Sequence, residues 1–277
     1  MLERKDMMSR NNVHVFGQGK QVLLMAHGFG CNQTMWRFLL PHFESEYTVV
    51  LFDYVGSGSA DLAAYSKQKY ADLAGYAEDI VDICHALDLQ DVVLIGHSVS
   101  CIIGLLAAQK IPDRIQSLVM VCPSPCFLNI PPDYQGGFEQ ADLEELIDLM
   151  DKNYIGWASY LGPVVSGELD DQVLAAELTE SFCSTNPITA KNFAKATFFS
   201  DYRHILPLNR HPVLLLQSEV DALAAMHVGE YMQAHTPQSK LAVVNARGHC
   251  LHMSHPKAVA ALIKDFLLQN PQNGPQL

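Results

Sequence analysis

Along the chain, short runs of apolar and β-branched residues alternate with longer stretches in which apolar positions recur at helical spacing. The short runs predict strands at Val13–Phe16, Val22–Ala26, Tyr47–Phe52, Val92–Ile95, Ile115–Val121, Val213–Gln217 and Leu241–Val244. The longer stretches predict helices over Tyr70–Leu87, Val99–Lys110 and Lys257–Leu268. Near-continuous apolar strands separated by helices build an α/β architecture, a mostly parallel central sheet with helices on both faces.

The alternation breaks between Leu128 and Ser200, where helical patterns follow one another without a strand. They run Glu139–Lys152, with Leu143, Leu146, Ile147 and Met150 on one stripe, then Tyr154–Val165, Gln172–Cys183, and a fourth stretch opened by Asn186-Pro187. Asn186 is a good cap and proline suits the first helical position. The expected organisation is therefore a core of residues 1–127 and 201–277, with 128–200 inserted as a four-helix lid. The polar tail Asn270–Leu277 is expected to fray.

Composition narrows the class of function. A formal charge of -12 without a basic cluster excludes phosphate-backbone binding, so no nucleic-acid partner is expected. The charged N-terminus lacks the apolar stretch of a signal peptide, and no apolar run reaches the ~20 residues that span a bilayer. A cytoplasmic protein without a membrane partner is expected. The seven cysteines sit mostly inside apolar stretches, where thiols act as small reduced hydrophobes.

Candidate chemistry begins at Gly96-His97-Ser98-Val99-Ser100, placed between a strand and a helix. A serine on that tight turn exposes its hydroxyl, provided that the residues two before and two after are small. Gly96 meets the condition fully and Ser100 in part. A serine hydroxyl needs a base, and Gly248-His249 falls just after the last expected strand, on the same sheet edge. The base needs a carboxylate to fix its tautomer, and Asp221 follows the strand Val213–Gln217; Glu219, two residues earlier, is its rival. The order Ser98, Asp221, His249 is that of an α/β-hydrolase fold.

The loop His27-Gly28-Phe29-Gly30 follows the strand Val22–Ala26, where one backbone donor of an oxyanion hole belongs; the second comes from Val99, after the nucleophile. The Phe29 and Val99 amides are the expected pair. Cys250, His252 and His255 offer a competing zinc set, although no second cysteine pair or acidic ligand completes it. The reading requires no metal and no organic cofactor. Asp53-Tyr54-Val55-Gly56-Ser57-Gly58-Ser59 lacks the lysine and spacing of a phosphate-binding loop and is read as structural.

With these residues placed, the chain resembles the RsbQ-like branch of the α/β-hydrolases, relatives of the karrikin and strigolactone receptors. The resemblance runs through His27-Gly28-Phe29-Gly30-Cys31, Leu51 to Gly58, Gly96-His97-Ser98-Val99, Pro123-Ser124-Pro125-Cys126, Asn153 to Trp157, Phe182 to Thr185 and Arg247-Gly248-His249-Cys250, nearly the whole length. It implies a V-shaped four-helix lid over a hydrophobic pocket, with Ser98, Asp221 and His249 at the triad positions. Two departures stand out: Ser100 replaces the usual glycine, and Ala225 replaces a proline that many relatives carry.

The resemblance also puts Phe29, His97, Phe127, Phe138, Trp157, Tyr160 and Phe198 around the pocket. Together they imply a compact, uncharged ligand and hydrolysis of a small to medium hydrophobic carboxylic ester or lactone through an acyl-serine intermediate. The alternative is a signalling module that binds or slowly cleaves such a ligand and regulates a partner, in the bacterial branch a PAS-containing stress phosphatase. Carbon–carbon bond hydrolysis also uses serine and stays open. Dehalogenases and epoxide hydrolases resemble this chain but carry aspartate at the position of Ser98.

Overall fold

A computed structural model describes residues 4–167 and 172–271; the expected frayed tail lies, from 272 onward, outside them. The strands are β1 His14–Phe16, β2 Val22–Ala26, β3 Thr48–Leu51, β4 Val92–His97, β5 Ile115–Val121, β6 Val213–Val220 and β7 Ser239–Arg247. The helices are α1 Arg4–Arg10, α2 Leu73–Ala86, α3 Val99–Lys110, α4 Gln140–Lys152, α5 Tyr154–Ser166, α6 Gln172–Ser184, α7 Pro187–Phe198, α8 Met226–His235, α9 Leu251–Ser254 and α10 Pro256–Gln269.

The strands form one sheet in the order β1-β3-β2-β4-β5-β6-β7, parallel throughout except for β1, which runs antiparallel to β3. Side chains alternate between the two faces, as the pleat requires. In β2, Leu23 and Met25 join the core that also holds Val259 and Ile263 of α10, whereas Leu24 and Ala26 join the core of α2 and α3. Both faces are covered, which is why these strands read as continuous apolar runs.

Helices α4 to α7 occupy the stretch between β5 and β6. An isolated antiparallel bridge joins Cys126 to Asp201, so the chain leaves the sheet and returns to it at one point. The insertion buries Leu143, Ile147, Trp157, Leu161 and Leu178 in the same apolar cluster as Met35, Trp36 and Met253 of the sheet layer.

Some boundaries differ from expectation. Helix α2 starts at Leu73 rather than Tyr70, because the Asp72 side chain caps it through the Ala74 amide (2.8 Å). Tyr70 stays in a preceding turn, its hydroxyl donating to buried Asp79. Strand β7 is nine residues long, twice the expected run, with exposed positions alternating along it. Helices α1, α8 and α9 were not anticipated. Among the described residues no helix is long and apolar enough to cross a membrane, and no disulfide joins the cysteines, six of which are buried and one, Cys183, exposed.

Candidate active site

Strand β4 delivers Ser98 at the sheet edge, and α3 begins at the next residue. The serine sits at φ 56° and ψ -123°, a left-handed conformation that side chains other than glycine rarely adopt. The turn is tight: a Cβ at Gly96 would lie 2.5 Å from the Ser100 carbonyl oxygen. Backbone strain of this kind is held only where the surrounding structure over-determines it. Here the Ser98 amide donates to the Val121 carbonyl of β5 (2.8 Å).

The loop after β7 brings His249 to the same edge. Its Nε2 lies 2.7 Å from Ser98 Oγ, and its Nδ1 lies 2.7 Å from Asp221 Oδ2 in the loop after β6. All three side chains are buried. The second oxygen of Asp221 accepts the Leu223 and Ala224 amides at 2.8 and 3.1 Å. Burial pushes the Asp221 carboxyl up, but the adjacent His249 and these hydrogen bonds outweigh it and hold the group below the ordinary carboxylate value. Glu219 is exposed at the end of β6, away from this relay. With Ala225 in place of proline, the acid loop is still anchored, since the Gln217 side chain donates to the Ala224 carbonyl.

His249 is also fixed from behind. His97 Nε2 donates to the His249 carbonyl (2.8 Å), while burial, then the nearby His249, pushes the His97 ring down to about 3 and keeps it neutral. The His249 amide donates to the Val165 carbonyl at the end of α5 (2.9 Å). That contact needs a bare backbone at Gly248, where φ is 99° and a Cβ would lie 2.0 Å from the Ser166 carbonyl. One end of the insertion thus holds the loop that carries His249.

Val99 is the first residue of α3, where amides lack an intrahelical acceptor. Phe29 occupies the turn closed by the Cys31 amide and the Gly28 carbonyl (3.3 Å), whose geometry leaves its own amide free of the turn. The hydroxyl of Ser100, the departure from glycine, donates to the His27 carbonyl and pairs with Tyr54 Oη at 2.9 Å. His27 Nε2 in turn accepts the Tyr54 amide (3.2 Å). Ser100 therefore ties α3 to the loop carrying Phe29. Asp53, in the loop read as structural, accepts the Gln33 and Ser59 amides at 2.8 and 2.9 Å and braces the same region.

Ser98 and His249 open on a narrow cavity lined chiefly by Phe29, Phe127, Leu161, Val165, Phe182 and Phe198, with His97 and Thr197 among the polar contributors. About 20 Å³ of it is open to the centre of a water-sized sphere, room for a single water. A wider surface groove, about 520 Å³, is lined by residues such as Gln109, Pro207 and His211 and shares no residue with it.

Three of the aromatics expected around the cavity lie elsewhere. Trp157 is buried one layer out, edge-on to Phe29 at 6.0 Å. Phe138 pairs with Leu128 at the base of the insertion. Tyr160 is 61 % exposed, because Trp157, Leu161 and Val165 define the inward stripe of α5 and Tyr160 falls outside it. Leu161, Val165, Phe182, Thr197 and Leu223 line the cavity without having been singled out; the four-residue spacing of Trp157, Leu161 and Val165 was the signal available.

The rival zinc set does not converge. His252 is wedged between Trp36 and His97, its ring tilted to both at separations of 4.4 and 4.5 Å, whereas His255 Nδ1 meets Ser254 Oγ. Among the described residues one trio of metal-capable groups comes within 4.8 Å, Cys122, Asp221 and His249. Two of its members are spent on each other, and burial holds the Cys122 thiol protonated.

Residues 23–262 match the alpha/beta hydrolase family. The chain is 37 % identical over 255 residues to a probable esterase of Oryza sativa subsp. japonica, covering 91 % of this chain and 94 % of that one. It is 35 % identical to the Karrikin insensitive 2 receptor CA of Petunia hybrida, with coverages of 91 % and 94 %. Among solved structures, a hydrolase from Oleispira antarctica is 53 % identical and superimposes with a TM-score of 0.95 over 97 % of this chain and 98 % of its own.

Proposed function

The chain belongs to the alpha/beta hydrolase family, and within it we propose a cytoplasmic serine hydrolase of small to medium, uncharged, hydrophobic carboxylic esters or lactones. One observation carries this reading: a hydroxyl, an imidazole and a carboxylate in a 2.7 Å and 2.7 Å relay, opening on a cavity walled by aromatic and aliphatic side chains. A dry apolar site strengthens the relay and disfavours charged substrates, whose desolvation nothing there offsets.

In this mechanism His249 Nε2 takes the Ser98 proton as Oγ attacks the carbonyl carbon. Asp221 holds the Nδ1–H tautomer and stabilises the imidazolium. The Phe29 and Val99 amides receive the developing oxyanion, each worth roughly 3 kcal/mol in the transition state. His249 then protonates the leaving alcohol oxygen, and water, deprotonated by the same imidazole, releases the acid from Ser98. The inserted helices α4 to α7 serve as the lid, since a space the size of one water admits substrate only after part of the insertion shifts.

A second reading has its own support, the receptor named among the relatives: binding and slow cleavage of the same ligand as a signal. The PAS-containing phosphatase expected as its partner finds no support in these similarities. Short-chain p-nitrophenyl esters separate the readings. Steady turnover that disappears in Ser98→Ala supports the hydrolase, with acyl-Ser98 trapped at low temperature and seen by mass spectrometry; a single turnover without release favours the signal. Turnover that survives in Ser98→Ala refutes both.

A further inference from the structure

Helical serine and threonine hydroxyls ordinarily return to a backbone carbonyl one turn back, and buried ones that do not are rare. The buried and half-buried hydroxyls of the insertion mostly find carbonyls: Thr179 donates to Ala175 (2.8 Å), Thr185, just past α6, to Ser181 (3.2 Å) and Ser166 to Pro163 (2.9 Å), while Thr189 and Ser181 reach the core carbonyls of Gly56 (2.7 Å) and Gly30 (2.9 Å). Thr197 on α7 does not. The residue is 2 % exposed, lines the cavity in front of Ser98, and its Oγ1 has no hydrogen-bond partner among the described residues.

The polar atoms of the reacting pair are already committed. Ser98 Oγ and His249 Nε2 hold each other, and His97 Nε2 serves the His249 carbonyl. His97 Nδ1 also lacks a hydrogen-bond partner among the described residues, but it packs against the Gly28 backbone, where an added Cβ would lie 2.4 Å away. An unpaired hydroxyl buried among Phe127, Phe198, Leu161 and Val165 is destabilising unless something arrives to pair with it.

We propose that Thr197 is a specificity-determining residue: its hydroxyl binds a second oxygen of the substrate, a keto, ether, hydroxyl or lactone oxygen remote from the scissile carbonyl. The preferred substrate is then an oxygenated ester or lactone rather than a plain alkyl ester. The inference rests on the hydrolase reading above and narrows it. A ligand oxygen that pairs with this hydroxyl gains a hydrogen bond that the empty fold does not make, whereas an alkyl ligand leaves the hydroxyl as unpaired as before.

The test pairs straight-chain p-nitrophenyl esters, propanoate to hexanoate, with keto and methoxy analogues of equal length. For the wild type, at least one oxygenated ester should exceed its alkyl partner in kcat/KM by about five- to tenfold, the worth of one neutral hydrogen bond, expressed mainly in KM. Thr197→Val should erase that preference, and Thr197→Ser should keep it. Without ligand, Thr197→Val should melt at the same temperature as the wild type or higher, since an isosteric methyl replaces an unpaired hydroxyl. Ser98-dependent turnover of alkyl esters with no oxygenated ester preferred overturns the inference alone. A melting point several degrees lower in Thr197→Val also overturns it, by showing that the fold itself pairs the hydroxyl. Absence of any Ser98-dependent turnover overturns the hydrolase reading and this inference together.

Discussion

Lowering the pH from 7 to 5 should destabilise this protein through His97. In the unfolded chain an imidazole titrates near ~6.5. In the fold, burial and the neighbouring His249 push His97 down to about 3. Between these values the unfolded chain holds a proton that the folded protein refuses, so stability falls as pH falls. Integrating over the interval gives about 2 kcal/mol from this residue, a large share of a typical net stability of 5–15 kcal/mol. His27 and His252, both lowered by burial first, act in the same direction. Asp221 does not contribute in this window. Its depressed carboxyl adds stability that is fully present above the unfolded value near ~3.9 and lost only as pH falls through the lower folded value. The assay is urea unfolding at each pH, followed by fluorescence of Trp36 and Trp157, both fully buried. His97→Gln keeps a donor for the His249 carbonyl but cannot titrate. Its absolute stability is immaterial; the drop between pH 7 and 5 should be about 2 kcal/mol smaller than in the wild type. Parallel pH profiles for the two proteins would refute the argument.

Asp221→Asn should leave the melting temperature nearly unchanged and cut kcat by up to ~10⁴, because the amide stabilises the wrong imidazole tautomer; an equal loss in Glu219→Gln would reassign the acid. Phe182→Ala removes a buried ring stacked on Phe29 at 6.4 Å, at a cost of about 3–5 kcal/mol. It should shift kcat/KM towards longer acyl chains, and an unchanged chain-length profile would show that this ring does not limit the cavity. Ser100→Ala strands the buried Tyr54 hydroxyl and should cost about 1–3 kcal/mol, with a melting point lower by several degrees. In the Ser100→Ala, Tyr54→Phe double variant part of that loss should return; strictly additive losses would mean that the two hydroxyls are not coupled.

What the sequence disclosed followed from chemistry that repeats locally. The β2, β4 and β5 runs are buried on both faces and so read as unbroken apolar stretches. The Ser98 turn announces itself because a strand, small flanking residues and a helix follow one another. Strand β7 was read at half its length because it lies at the edge of the sheet, where Lys240 and Asn245 face solvent and dilute the pattern. Helix α8 was missed for a similar reason, since Val228 and Met232 are its main buried side chains and lie one turn apart. The error at Tyr160 has another origin. Helix α5 is apolar on almost every side, so composition alone cannot say which side faces in, and only the stripe of Trp157, Leu161 and Val165 resolves it. Thr197 was invisible because its significance is a missing partner, and a sequence does not record partners.

The hydrogen bond from the His249 amide to the Val165 carbonyl restricts how the four inserted helices can give way. If they swung outward together as a rigid flap, α5 would drag the imidazole off Ser98, and the protein would be open only when it was chemically disarmed. Entry that displaces α6 and α7 while α5 stays moored leaves the proton relay aligned throughout. On the hydrolase reading, α5 then holds His249 in place while a ligand enters, so admission of a ligand and readiness to cleave it need not alternate.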